Sequence, residues 1–310
     1  MAGVNGDGAS TSDVGGAENG GTTDTAGGTE NGGTTDTAGG TENGGATAGT
    51  DGRRAADEGV VVDRVGKTYG GSGSSSGETA VRALDDVSFA VDRGEFVCLV
   101  GPSGCGKTTL FRIIAGLIEA TDGTVRLGGA PVTGPTTDMG VVFQEYHLFP
   151  WLTVEENVGF GLDRTDRPEA DRDARVTEML ELVGLDGFRD AYPKSLSGGM
   201  KQRVAIARAL AVDPALLLMD EPFGAVDAQT REMLQRELLD VWRSTGKTVL
   251  FVTHDVAEAV TLADRIVVMA ADPGRVREVV DVDVDRPRER GDPAFGEHVA
   301  RVRDLIGTGE

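Results

Sequence analysis

The chain has little of what cross-linked, membrane-spanning or nucleic-acid-binding proteins rely on. Only two of its 310 residues are cysteines, Cys98 and Cys105. Two thiols make no disulfide framework, and a reducing, cytoplasmic setting fits best. No apolar run approaches the roughly 18 residues that span a bilayer, so the chain is not expected to be a membrane protein itself. Met1 to Ser10 has neither a basic start nor an apolar stretch, and no secretory signal is expected. Arg53-Arg54 is a twin arginine with no apolar segment behind it, so an export signal is not expected either. Lysine is scarce, with 5 residues against 25 arginines, and the net charge is −21.

The first 58 residues hold 17 Gly and 11 Thr and almost no large apolar side chain. They cannot bury enough surface to offset their ordering entropy, and disorder is predicted. Glu18 to Thr29 reads ENGGTTDTAGGT, and Glu30 to Thr41 repeats it letter for letter before a third copy decays after Glu42. With no apolar face to stack, this is a solvating tail rather than a solenoid. About 250 residues remain, enough for an enzyme core. The tail contributes −8 of the charge, so the foldable part carries −13. Such a surface repels phosphate backbones, and no basic patch interrupts it; nucleic acid is not an expected partner. Acid excess with scarce lysine fits a salt-rich cytoplasm, where screening shortens to a few ångströms. An acidic protein of an ordinary cytoplasm is the plainer alternative.

From Val60 the texture changes. Val60-Val61-Val62 opens a short strand running towards Tyr69, and Gly70 to Gly77 reads as a surface loop. Val81, Ala83, Val87, Phe89 and Val91 alternate with polar residues, the pattern of a half-buried strand. Phe96 to Val100 is a continuous apolar run, as in buried parallel strands, and Lys107 to Ala115 reads as a helix. Leu216 to Met219 and Val249 to Val252 each follow a helical pattern, which predicts a parallel α/β sheet. Residues 145–213 are mostly helical in character, an inserted helical lobe. Pro293 to Ile306 reads as one amphipathic helix.

Between that strand and that helix, Gly101-Pro102-Ser103-Gly104-Cys105-Gly106-Lys107-Thr108 matches G-x-x-x-x-G-K-[ST]. Glycines let backbone N–H groups converge on phosphate oxygens, and the helix start adds its positive end. Lys107 is placed to reach the β- and γ-phosphates and Thr108 to ligate Mg²⁺; Thr109 joins the nucleotide-binding residues. Cys105 reads as a small filler, with a redox role as the alternative. The strand Leu216 to Met219 ends in Asp220-Glu221. Coupled to a phosphate loop, the first acid suits the metal and the second an attacking water. Solvated strand-end acids are the bland reading.

Leu196-Ser197-Gly198-Gly199-Met200-Lys201-Gln202-Arg203 closely resembles the signature segment of ATP-binding cassette (ABC) ATPases. Gln144, in Val141-Val142-Phe143-Gln144, resembles the family's Q-loop, and Gly224-Ala225-Val226-Asp227 its D-loop. His254 resembles the switch histidine and Tyr69 the aromatic that stacks on adenine. These motifs, in order, cover residues 60–280. Met200 stands where many cassettes carry Gln, and Val226 where many carry Leu; neither removes an assigned polar group.

The resemblance implies a P-loop cassette: a RecA-like parallel core, an antiparallel β subdomain and an inserted helical subdomain. It places an ATPase domain at 59–285, a helical subdomain at about 145–213, and a C-terminal extension at 286–310. It implies ATP and Mg²⁺ as cofactors, with Glu221, His254 and Gln144 catalytic and Thr108, Gln144 and Asp220 at the metal. Tyr69 would stack on adenine, worth roughly 1–3 kcal/mol by analogy with base–aromatic stacking. Ser197, Gly198 and Gly199 would bind the γ-phosphate of ATP held by a second copy, and Asp227 would cross the dimer interface. His147 and His298 match no motif.

Gln144 to Leu162 and Phe223 to Val252 resemble importers of the nitrate, sulfonate and taurine group, from a halophilic archaeon on the charge argument. The expected partners are a second cassette, separate permease subunits and, indirectly, an extracellular solute-binding protein, at the cytoplasmic face of the membrane. Phe149, Pro150, Trp151 and Leu152 are expected to help form the groove for a permease helix; packing within the helical lobe is the alternative. Only some forty residues follow Ala270, too few for the regulatory domain of sugar importers. A soluble cassette acting on ribosomes or DNA, or an importer of bicarbonate or a vitamin precursor, is the alternative function. No long heptad run and no CxxC pair supports the DNA-repair version. Because the tail is assigned no part of the core, deleting residues 1–58 is expected to leave ATP hydrolysis nearly intact; a large loss in steady-state turnover would show the assignment wrong.

Overall fold

The computed structural model describes residues 58–70, 80–224 and 226–307. The repeat tail, most of the glycine-serine loop and Ala225 lie outside the described residues. The first strand starts at Glu58, two residues earlier than its apolar run suggests. That strand, β1 (Glu58–Tyr69), pairs antiparallel with β2 (Val81–Asp92).

In β2 the apolar alternation holds for Val87, Phe89 and Val91, which are buried, but not for its first half. Val81 is 61% exposed, and Leu84 is buried instead. The reason is a bulge: Val65 pairs with Val87 but Lys67 with Leu84, and Asp86 sits at φ +53°. One extra residue turns Leu84 to the buried face, and a second shift, between Lys67 and Thr68, breaks the alternation again before Val81.

The apolar run becomes β3 (Phe96–Val100), buried at all five positions. It leads through the glycine loop into α1 (Lys107–Ile114). Next come β4 (Asp122–Leu127) and β5 (Ala130–Pro131), which complete an antiparallel sheet in the order β2-β1-β4-β5. The chain then enters the second sheet through β6 (Met139–Val142).

Between residues 145 and 213 lie α2 (Val154–Gly159), α3 (Glu169–Leu182) and α4 (Gly198–Ala211), with three short 3-10 turns. Thr153 and Glu156 form a reciprocal capping box at the start of α2. Thereafter β7 (Leu216–Asp220), α5 (Ala228–Thr245), β8 (Thr248–Val252), α6 (Val256–Leu262) and β9 (Arg265–Ala270) alternate. β10 (Arg275–Asp281) is followed by α7 (Pro293–Gly307).

The second sheet has the order β10-β9-β3-β8-β7-β6, parallel except for β10 at its edge. Its parallel strands are buried on both faces, as they must be when helices cover them. Phe96, Cys98 and Val100 join one core with α2 to α6, while Val97 and Leu99 join a second core with α1 and the antiparallel sheet. α7 packs on α6 through Phe295, Val299 and Val302, one face at helical spacing.

Candidate active site

Because β3, β8 and β7 run parallel, their carboxyl ends open on one edge of the sheet, where α/β proteins bind ligands. The loop after β3 is shaped by close contacts. A Cβ on Gly101 would stand 2.7 Å from Cys105 Sγ and 2.8 Å from the Met269 carbonyl. Gly104 and Gly106 adopt φ of +82° and +87°, the left-handed region that side chains resist. Lys107 is buried and donates to the carbonyls of Gly101 at 2.8 Å and Pro102 at 3.0 Å, drawing the loop around its ammonium. Ser103, Gly104 and Thr108 are exposed, and Pro102 is half-buried. No acid occupies the first turn of α1 and no side chain caps it, so its leading N–H groups are free for an anion. Burial pushes the Cys105 thiol up against the opposing pull of Lys107.

Tyr69 ends β1 and is 43% exposed. Its hydroxyl lies 3.4 Å from Thr109 Oγ1 in α1, and Lys67 Nζ sits 5.3 Å from the ring centre. The structure thus brings an exposed aromatic face to the helix that follows the phosphate loop.

Asp220 and Glu221 leave the end of β7. Burial first, then the neighbouring charge of Glu221, raises the Asp220 carboxyl above its ordinary range. The charges of Arg112 and Lys107 oppose that rise without overcoming it, so a cation would be favoured there. Thr108, Asp220 and Gln144 offer a hydroxyl, one carboxylate and an amide. That set suits Mg²⁺, which takes one or two carboxylates together with substrate phosphates rather than an all-protein cage.

Glu221 has φ +43°, a left-handed conformation unusual for a non-glycine. Its N–H donates to the Val252 carbonyl at 2.9 Å, and its own carbonyl accepts from Gly224 N–H at 3.0 Å. These bonds hold the strained turn and aim the side chain at His254, whose Nδ1 lies 2.9 Å from Oε2. A carboxylate only accepts, so Nδ1 carries the proton and Nε2 is left for another partner. His254 is 67% exposed at its side chain while Glu221 is 24% exposed, the histidine outermost. Gln144 reaches the same turn: its Nε2 is 3.2 Å from where a Cβ of Gly224 would stand.

The signature residues lie elsewhere. Ser197 caps α4, accepting from Met200 N–H at 3.3 Å, and is exposed beside exposed Gly198. The neighbours of Gly198 and Gly199 are Tyr146, Val226, Thr230 and Leu234 rather than the phosphate loop. Asp227 caps α5, taking Thr230 N–H at 3.0 Å and its hydroxyl at 2.6 Å, bonds that hold its carboxyl below the usual range.

Several polar residues of this region escaped the sequence reading. Arg208 of α4 donates to the His147 and Tyr146 carbonyls at 2.7 and 3.0 Å and faces the Phe149 ring, anchoring the segment after Gln144. Thr253, Gln235 and Glu258 form a buried group under His254; burial raises the Glu258 carboxyl, opposed by the two donors it accepts. The available signal, Asp255-x-x-Glu258, reads as a capping box, yet Glu258 turns inward and Thr253 Oγ1 takes its place at the Asp255 N–H.

Comparison with known proteins accords with this geometry. Residues 84–224 match the family model described as ABC transporter. An uncharacterised ABC transporter ATP-binding protein of Methanocaldococcus jannaschii is 54% identical over 226 residues, 73% of this chain and 85% of that protein. The aliphatic sulfonates import ATP-binding protein SsuB of Bacillus cereus is 46% identical over 238 residues, 77% of this chain and 92% of that protein. A dimeric ATP-binding cassette solved in a post-hydrolysis state with ADP and phosphate is similar at a TM-score of 0.61 and 35% identity, over 73% of this chain and 100% of that one. The chain belongs to the ABC transporter family, as an ATP-binding subunit. Its fold is that of the ABC cassette, and it is an ATPase.

The glycines separate strain from contact. Gly104→Ala meets nothing within 4 Å; it is expected to cost about 1–2 kcal/mol, the left-handed penalty alone. Gly106→Ala places its Cβ 2.5 Å from Leu84 Cδ2 and 3.0 Å from the Ala83 carbonyl. It is expected to cost a further 1 to 3 kcal/mol, roughly the overpacking penalty. Urea melts of the two variants check the order; equal losses would refute it.

Proposed function

We propose that the chain is the ATP-hydrolysing subunit of an importer in the nitrate, sulfonate and taurine group, working as a pair of cassettes beneath a separate permease. The observation that carries the hydrolytic part is the Glu221–His254 pair, held at 2.9 Å on the strand edge where the phosphate loop also opens. In this reading the loop 101–106 and the first turn of α1 bind the phosphates of ATP, Lys107 leaves its loop carbonyls for phosphate oxygens, and Tyr69 stacks on adenine. Thr108, Asp220 and Gln144 would hold Mg²⁺, which would supply charge neutralisation. Glu221 orients and deprotonates the attacking water, and His254 hydrogen-bonds the γ-phosphate from Nε2 as the imidazolium, the form in which both ring nitrogens donate.

Ser197, Gly198 and Gly199 are exposed or lie at a helix start, and their neighbours are not the phosphate loop; this favours their acting on ATP held by a second copy. Asp227 keeps its helix cap and presents the segment before α5 to that copy. The likeness to a dimeric cassette supports the pairing. Transport is supported by family membership, and among solutes the likeness to SsuB favours a sulfonate.

The docking groove for a permease helix fits residues 149–152. Asn157 holds that loop by accepting from Phe149 N–H at 2.8 Å and donating to the carbonyls of Phe149, Leu152 and Thr153. Trp151 is left 69% exposed, and Phe149 stacks on exposed Phe160 at 4.2 Å. Among the described residues no helix is long and apolar enough to cross a membrane, so the permease is a separate chain in this reading. An extracellular solute-binding protein would act through the permease. The acid excess favours a saline cytoplasm for the system, as in a halophilic archaeon.

Two outcomes test this. Glu221→Gln is expected to abolish turnover while keeping ATP affinity, and to trap a closed dimer on size exclusion at high salt; a variant that stays monomeric with ATP would refute the paired cassette. Affinity purification of the same variant from detergent-solubilised membranes is expected to recover a multi-span permease. Recovery of ribosomal or DNA-repair proteins instead would overturn the transport reading and leave the ATPase standing.

A further inference from the structure

Beneath exposed His254 lies a set of polar side chains that nucleotide binding does not require. Thr253, Glu258 and Gln235 are 2%, 3% and 2% exposed. Glu258 accepts on each carboxyl oxygen: Thr253 Oγ1 donates to Oε2 at 2.6 Å, and Gln235 Nε2 to Oε1 at 2.9 Å. The Thr253 hydroxyl also accepts the Asp255 N–H at 3.0 Å, while the Thr253 N–H donates to the Leu99 carbonyl of β3 at 3.1 Å. The backbone on both sides of His254 is therefore tied down. A parallel link lies beside it. Arg231 sits 3.6 Å from the Asp255 carboxylate and donates to the Val226 carbonyl at 3.3 Å. Gln235 and Arg231 both belong to α5, the helix that starts at Asp227.

A buried carboxyl is a costly way to join two helices. Apolar side chains of the same volume would hold α5 against α6 with equal or greater stability. What a fully satisfied polar group adds is direction, since each hydrogen bond sets an angle as well as a distance. Direction matters here because His254 Nδ1 must stay within reach of Glu221 Oε2, and an ångström of misplacement at a catalytic pair can cost about a hundredfold in rate.

We propose that Glu258 is a positioning residue for ATP hydrolysis: through Thr253 it holds His254 opposite Glu221, and through Gln235 it ties that placement to α5. The inference rests on the roles proposed above for Glu221 and His254.

The test uses the full chain at high salt, as wild type, His254→Ala, Glu258→Gln, and a double variant Glu258→Met with Gln235→Met. The double variant removes both ends of one buried bond and keeps the core filled; the Thr253 hydroxyl loses its acceptor but still takes the Asp255 N–H, and an isosteric Thr253→Val added to the double variant removes that unpaired donor and serves as its stability control. It is expected to melt close to the wild type and to bind ATP within about threefold, while kcat falls about tenfold or more. In Glu258→Gln the Gln235 amide can turn over to accept, which restores both bonds; kcat is expected within about threefold of wild type. Unchanged turnover in the double variant overturns the proposal. So does failure to fold, or a loss of melting temperature and ATP affinity in step with kcat, since either assigns the group to core stability. A loss in Glu258→Gln as large as in the double variant also overturns it, in favour of a charge acting on the site. The premise is tested apart: if His254→Ala turns over like wild type, the role of His254 is wrong, whereas loss in His254→Ala with none in the double variant removes Glu258 alone.

Discussion

Parallel pairing of β3 with β8, and of β8 with β7, is the constraint on which the site depends. Parallel strands point the same way, so the loops that leave them arrive together without any contact of their own. The ladder also continues past the strand ends: Glu221 N–H takes the Val252 carbonyl, and Thr253 N–H takes that of Leu99. Glu221 and the residue before His254 are thereby hung from carbonyls at the end of the neighbouring strand. A buried sheet is the stiffest support a small protein has, and it lends that stiffness to a left-handed Glu221 that would otherwise relax.

The helical stretch works on a different principle. α2, α3 and α4 pack mainly on one another, and polar side chains inserted among backbone carbonyls tie them to the segment after Gln144. Asn157 does this for residues 149–153 and Arg208 for residues 146–147. The result is an exposed aromatic loop on a rigid base, with the signature turn at the start of α4 facing outward. Such a surface suits work between chains, whereas the strand edge suits chemistry within one.

Arginine carries much of this load. Arg288 donates to the carbonyls of Val284, Val260, Ala263 and Val282, and Arg286 pairs with Asp264 while facing Trp242. A planar fork with five donors can satisfy several buried carbonyls at once, which an ammonium cannot. Part of the excess of arginine over lysine is therefore structural, beside any adaptation of the acidic surface to salt.

The parallel core was legible in the sequence because buried parallel strands are continuous apolar runs, and Phe96 to Val100, Leu216 to Met219 and Val249 to Val252 are such runs. The phosphate loop was legible because backbone that must curl around an anion demands glycine at set places. Other features were decided only in three dimensions. The bulge at Asp86 put Leu84 in the core, since register is set by the partner strand β1. Glu258 sits in a pattern that promises a helix cap, yet it turns inward because Gln235, 23 residues earlier in the chain, offers a buried donor. The sequence by itself determined which residues are available for phosphate, metal and water, since those depend on residue type and short spacing. Tertiary structure alone decided that Glu221 meets His254 across 33 residues, because distances and directions between strand ends are properties of the sheet.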